Sequence, residues 1–458
     1  MTGEKRQLGL YALVMLSVVA IFNPRTLPLM AEYGLGSVTY YVLAALLFFI
    51  PSSLVCAELA TGWPEKGGVY VWIREAFGDR LGFLGIWLEW INNVVGWPSA
   101  LALISARLAY AIAPEWANDK TFMIIMMLVL FWSFTLLNYY GLRVANWLSH
   151  IGLIAGTILP TLLIIILGGI WLGSSHSLQM TISWQALMPK PSWSNTGLLI
   201  GVMLGFAGMQ ITAYHANDVV NPQKHFPKAI FIATVIILLG SILGSLSIAA
   251  VIPHDQINLV SGNIQALQYF LAQFHLAFLE PLFALAMALG AAAMLNAWIS
   301  GPSKGLLVAA EYGNIAHFFA KTNRYGAPVV ILLCQAVVVT ILAVLFKYMP
   351  TIENSYWLVT DLSAIMTLMM TVLFFASVIR LRYTQPERPR AYRIPGGKLG
   401  VWLVAGAGLL SSVVAIVLGF LPPEQLHHLS VTTYEVILGA GLLICIVPVC
   451  WVHRRRHC

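Results

Sequence analysis

Twelve stretches of this chain each run for about 20 residues or more with scarcely a charge. They cover roughly residues 8–31, 37–61, 81–112, 121–139, 146–172, 196–219, 227–252, 264–299, 326–346, 356–379, 399–421 and 432–452. An α-helix of about 20 apolar residues spans the hydrocarbon core of a bilayer. One such stretch can sit inside a soluble core; twelve cannot. Composition closes that escape: 59% of the residues are hydrophobic and 9% charged, against about 25% charged in soluble domains. The expected architecture is therefore an all-α integral membrane domain of twelve transmembrane helices, occupying residues 1–458 as one unit. The longest connections, "GSSHSLQMTISWQALMPKPSWSN" and "RLRYTQPERPRAYRIPGGK", are far below domain size. The opening "MTGEKRQ" leads into a stretch too long for a signal peptide and reads as a retained first helix.

The formal net charge of +7 would suit a nucleic-acid binder, but the positions of the charges exclude that reading. With the N-terminus placed in the cytoplasm, twenty of the 25 Lys and Arg residues fall on cytoplasmic ends and loops. Lys120, Lys190 and Lys347 fall outside, and Arg25 and Arg107 lie within spans. Such asymmetry is the positive-inside signature of a multi-pass protein with both termini cytoplasmic. The five cysteines (Cys56, Cys334, Cys445, Cys450 and Cys458) form no metal-ligand or redox spacing. No P-loop is present and no cofactor is expected. The partners implied are the lipid bilayer and small molecules, not nucleic acid, with a monomer or homodimer as the assembly.

Two spans carry interruptions. "AIFNPRTLPLM" puts Pro24 and Pro28 inside the first, and proline removes a backbone donor and clashes with the preceding turn. "GVMLGFAGMQITAYHAND" puts Gly201, Gly205 and Gly208 inside the sixth. Breaks at corresponding places mark inverted-repeat transporters, whose freed backbone groups bind substrate near the midplane. The repeats would be about 8–172 and 196–379, with two extra helices at about 399–452. Asn23, Pro24, Arg25 and Thr26, with Phe206, Ala207 and Gly208, are the candidate substrate-binding residues at the breaks. Close helix packing is the other reading of Gly205 and Gly208.

Charges within spans are costly and usually functional. Arg25 is either a cation facing substrate or one half of an ion pair, with Asp361 as the candidate partner, or it snorkels outward. Asp361 is a candidate for proton coupling or for helix capping. His150 and His215 are candidates for pH response or for interfacial hydrogen bonding. Glu58 and Glu89 are expected to anchor helix ends, Arg107 to snorkel outward, and Glu280 lies within the eighth span. Trp298, deep in that span before "SGPSKG", is placed near a pathway.

Four stretches in order resemble the amino acid–polyamine–organocation transporters: "AELATGWPEKGGVYVWIREAFG", "NYYGLRVANWLS", "HANDVVNPQKHFPKAI" and "RPRAYRIPGG". "SLSIAAVIPHDQINLVSGNIQAL", "GPSKGLLVAA" and "GFLPPEQL" are most similar to the bacterial glutamate/γ-aminobutyrate antiporters. The resemblance implies a leucine-transporter-type fold with a 5+5 inverted repeat, alternating access, and amino acid exchange across a bacterial inner membrane. It implies a pocket between the broken spans with help from spans eight and ten. Arg25 then falls where that branch has a pocket tyrosine, and Trp298 matches a pocket tryptophan. Gln210 and Met294 replace two glutamates, and Thr367 and Thr371 replace two tyrosines. The branch's long C-terminal plug is expected to be missing, because the chain stops at "HRRRHC".

With pocket carboxylates neutralised and a fixed cation added, the expected function is an antiporter for anionic or neutral amino acids. A proton-coupled amino acid symporter, sodium coupling, and a membrane sensor that binds amino acids without moving them remain alternatives. No clustered catalytic constellation marks the chain as an enzyme.

Overall fold

The computed structural model describes residues 8–22, 24, 26–112, 115–116, 119–140, 151–174, 177–188, 193–253, 262–345, 352–421 and 430–454. Helices α1 (Leu10–Ile21) and α2 (Thr26–Ala31) occupy the first apolar stretch and α3 (Gly36–Gly62) the second. After the short α4 (Val69–Phe77) come α5 (Asp79–Ile112), α6 (Lys120–Tyr139) and α7 (Ile151–Leu172). The sixth stretch is α8 (Trp193–Gly205) followed by a 3-10 run, Met209–Asp218. Then follow α9 (Pro222–Val251), α10 (Gly262–Gln273), α11 (Glu280–Glu311), α12 (Val329–Leu345), α13 (Ile352–Thr384), α14 (Gly397–Leu418) and α15 (Val431–Arg454). Among the described residues, strand-like pairing is confined to an isolated bridge between Leu8 and Val219.

Eight of these helical stretches are long and apolar enough to cross a membrane by length and composition. The stretches Leu10–Ile21, Leu199–Tyr214 and Val329–Leu345 are apolar but shorter. The surface shows which solvent the fold expects. Phe231, Leu403, Leu443 and Ile444 are 71%, 66%, 65% and 73% exposed, while Glu58, Glu89, Ser105 and Gln335 are at 0%. Apolar side chains outside and polar ones inside are stable only against lipid. The chain is a multi-pass membrane protein. Many inward hydroxyls bond the carbonyl one turn back, as Ser52 does to Phe48, Thr135 to Phe131 and Ser377 to Leu373.

Helix α5 is the central pillar, packed along its length against α11 and α13. Helix α7 crosses α11 at close range through small residues. A Cβ on Gly156 would lie 1.9 Å from the Ala286 carbonyl oxygen, and one on Gly290 would lie 2.6 Å from the Gly156 backbone. Lipid offers no hydrophobic drive between helices, so such crossings rely on van der Waals contact that only small residues permit.

Two sequence expectations change here. The stretch 264–299 is not one helix: α10 ends at Gln273, His275 takes a left-handed φ of 59°, and α11 starts anew at Glu280. Pro281 favours the restart, because proline is well suited to the first turn of a helix, where its missing N–H costs no helical bond. Glu280 lies in that first turn, where a negative charge meets the helix dipole. Arg107 does not snorkel: it is 4% exposed and donates to the Met287 carbonyl of α11 at 3.2 Å.

Glu58, one turn before the end of α3, anchors the helix end as expected. Its Oε1 accepts from Arg382 Nε at 2.6 Å and Arg390 Nη1 at 2.5 Å. Its Oε2 accepts from Arg382 Nη2 at 2.7 Å and the Ile394 amide at 2.9 Å. The last α3 carbonyls are met too: Thr61 O by Gln223 and Gly62 O by Arg388. The "RPRAYRIPGG" segment is thus a clamp that ties α13 and α14 to the end of α3. Burial pushes the Arg390 guanidinium below its ordinary range, and the Glu58 carboxylate opposes that.

Candidate functional site

Pro24 has no N–H, so the carbonyl of Ala20, four residues back, loses its helical partner. Helix α1 ends one residue past Ala20, and Phe22 is extended with ψ of 103°. Ala20 is wholly buried, and a buried carbonyl left bare costs about 1–3 kcal/mol. The indole of Trp298 on α11 supplies the donor, Nε1 to Ala20 O at 2.8 Å.

The second break lies against the first. Helix α8 stops at Gly205, and Gly208 has φ of +123°, a conformation that residues with a side chain rarely adopt. A Cβ there would stand 2.8 Å from Trp298 Cζ2 and 3.3 Å from Ala20 O. The two interrupted segments and Trp298 therefore meet at one point. Phe206 stacks on Phe49 at 4.6 Å between ring centres, and Phe49 closes a π-helical turn in α3. Such turns recur at functional sites. Thr26, at the start of α2, lies beside Gly205 and bonds the Tyr41 hydroxyl, which also pairs with Ser245 at 2.9 Å. Ala207 is half-buried within the break, and Met294 is half-buried one turn before Trp298 on α11.

Two further candidates, Thr367 and Asp361, make their described side-chain hydrogen bonds to other partners. Thr367 spends its hydroxyl on the Ser363 carbonyl of its own helix, and Thr371 on that of Thr367. Asp361 accepts from the Tyr434 hydroxyl of α15 at 3.0 Å. His215 falls in the Met209–Asp218 run by its backbone. Asn23, Arg25 and His150 lie outside the described residues, as does the side chain of His215.

Gln210 leads to what the sequence reading missed. Its Nε2 donates to Glu89 Oε1 at 3.0 Å, and the Tyr214 hydroxyl donates to Glu89 Oε2. Glu89 does not anchor a helix end; it is fully buried in the third turn of the 34-residue α5. The Tyr214 ring lies in a cradle of three glycines. Cβ atoms on Gly68, Gly301 and Gly305 would approach it to 3.0, 3.2 and 2.7 Å. Those glycines belong to the "PEKGG" and "SGPSKG" stretches, which lie more than 200 residues apart.

Trp298→Phe keeps a ring in place but removes the donor to Ala20 O. We expect it to lower stability by about 1 kcal/mol, read as a fall in melting temperature of the purified protein in detergent.

A polytopic helical bundle with two interrupted helices meeting at a half-buried tryptophan is an architecture of membrane transporters. The chain belongs to the amino acid permease family, whose profile matches residues 8–447. Members of that family carry solutes and are not enzymes. The chain is 42% identical over 457 residues to an uncharacterized transporter of Legionella pneumophila, covering 100% of this chain and 98% of the relative. It is 28% identical over 448 residues to a glutamate/γ-aminobutyrate antiporter of Lactococcus lactis, covering 96% and 89%. A probable agmatine/putrescine antiporter of the same species is 21% identical over 457 residues, covering 98% and 94%.

Proposed function

We propose that the chain is a secondary active amino acid transporter working by alternating access, an antiporter for anionic or neutral amino acids. The observation that carries the reading is the meeting of both helix breaks at Ala20, Gly208 and Trp298. Freed amides and half-helix ends there suit the carboxylate and ammonium of an amino acid. In this reading the fold has twelve spans in a leucine-transporter-type 5+5 repeat, about 8–172 and 196–379. The protein lies in a bacterial inner membrane with both termini cytoplasmic.

The pocket is lined by Asn23, Pro24, Arg25, Thr26, Phe206, Ala207, Gly208, Gln210, Met294, Trp298 and Thr367. Its charge sets the substrate class. Gln210 and Met294 are neutral, and both oxygens of the nearby Glu89 are already engaged by Gln210 and Tyr214. Glu89 has no oxygen to spare for a substrate, so Arg25 is the charged group left to meet one, which favours a carboxylate-bearing side chain or a neutral one over a polyamine.

Counterflow in proteoliposomes tests this. Labelled glutamate is supplied outside vesicles that are empty or preloaded with glutamate, γ-aminobutyrate or neutral amino acids. Uptake is expected only into preloaded vesicles, and Arg25→Ala is expected to abolish it. Uptake into empty vesicles driven by a pH gradient would establish symport instead. Exchange of arginine for agmatine would overturn the proposed substrate class.

A further inference from the structure

Glu89 has no exposed surface, and one stretch of chain takes both of its carboxylate oxygens. That stretch, Met209–Asp218, is the half of the sixth segment that lies beyond the Gly208 break. Its other described polar ties are lighter. Cys56 Sγ donates to the Met209 carbonyl at 3.4 Å, and the Leu8–Val219 bridge closes its far end. Glu89 thus hydrogen-bonds the central helix α5 to the far side of the break.

The described side chains that face Glu89 are neutral donors: Gln210, Tyr214 and, from α3, Cys56. Several charged and polar groups described on the other helices packed against α5 bond elsewhere. Arg74 of α4 packs on Gly82, about two turns away, and pairs with Glu75 and the Tyr312 ring. Gln335 of α12 accepts from Trp90 and from Ser303 of α11. On α13, Ser363 bonds Asn92 and Asp361 faces Tyr434 of α15. A carboxylate locked to a cation cannot take up a proton without breaking an ion pair. One held by two neutral donors can.

We propose that Glu89 is a proton-binding site whose occupancy sets the grip of α5 on the Met209–Asp218 stretch, so that proton binding is coupled to movement of the sixth segment. The coupling to transport rests on the antiporter reading above. A hydronium ion gives its proton to one carboxylate oxygen and leaves as water, and the carboxylate becomes the neutral acid. That oxygen then carries a hydrogen and is a donor, so it faces the Tyr214 hydroxyl donor to donor. The hydroxyl has to turn away or accept. The remaining bond to Gln210 loses its charge assistance, which accounts for about half its strength. The glycine cradle still holds the ring, so the stretch is loosened rather than ejected. Loss of the proton restores the grip.

Hydrogen–deuterium exchange of the 209–218 peptides tests this without reference to substrate. The wild-type protein is measured in nanodiscs from pH 5 to pH 8, each rate divided by its intrinsic value. Protection is expected to fall at the acid end, by up to about tenfold per pH unit where one proton is linked. Glu89→Gln cannot gain the proton and is expected to show a flat profile. Glu89→Asp keeps a carboxyl group and is expected to keep a step, which preserves the test should the glutamine variant not fold. His215→Gln is expected to keep the step as well. A flat wild-type profile, a step that survives in Glu89→Gln, or a step lost in His215→Gln each overturns the proposal. Counterflow on the same preparations separates the two readings. Failure to transport any amino acid sinks the antiporter reading and leaves the exchange result standing, whereas transport with a flat wild-type exchange profile sinks only the role of Glu89.

Discussion

Glu58→Ala is expected to cost about 3–5 kcal/mol and to strip most folded protein from the membrane. The carboxylate is fully buried, as is the side chain of Arg390, and Arg382 is 12% exposed. Four donors fill its two oxygens. Removing it leaves two guanidinium groups side by side with no anion between them, one of them shut off from water. Breaking a buried pair from one side costs far more than the pair contributes, because the surviving charge keeps its desolvation penalty. Glu58→Gln should fare little better, since its amide N–H group would point at guanidinium donors. The check is the yield of monodisperse protein and its melting temperature in detergent. Arg382→Ala alone should be milder, because Arg390 and the Ile394 amide still satisfy the carboxylate. Combined with Glu58→Ala it should add less than its own cost. Full additivity would show that the clamp is not one unit.

The clamp also shows what the sequence made legible and what it did not. Glu58 was readable as an anchor because it lies one turn from the end of an apolar stretch. The break in the first segment was readable because proline's missing N–H is a covalent fact, independent of tertiary context. The eighth segment was misread because "LAQFHLAFLEPLF" stays apolar across its corner, and hydropathy averages cannot see a change of direction. Pro281 was the available signal. Arg107 and Glu89 were misplaced for a deeper reason. Hydropathy reports depth along a helix but not which face meets a neighbour, and their partners Met287, Gln210 and Tyr214 lie 180, 121 and 125 residues away. The glycines at 68, 301 and 305 announced that something large must fit against them, without saying that it was Tyr214.

Gly208→Val is expected to abolish transport while leaving most of the protein folded, and Gly208→Ala to slow it by about tenfold or more. Two separate penalties fall on one atom. The φ of +123° lies where side-chain-bearing residues are strained, by about 1–3 kcal/mol, and worse for a β-branched one. The added Cβ would also stand 2.8 Å from Trp298 Cζ2, closer than packed carbons come. If the indole yields, it leaves Ala20 O and opens the junction between the two breaks. If the backbone yields, the break in the sixth segment moves. Either shift displaces groups that a substrate would need in register. Gly208→Ala combined with Trp298→Phe tells the two penalties apart, because phenylalanine has no Cζ2. Partial recovery of counterflow, counted per folded molecule, would mean that the steric clash dominates. No recovery would place the cost in the backbone, and the left-handed turn itself would be what the junction requires. Wild-type counterflow by Gly208→Ala would remove this junction from the transport pathway altogether.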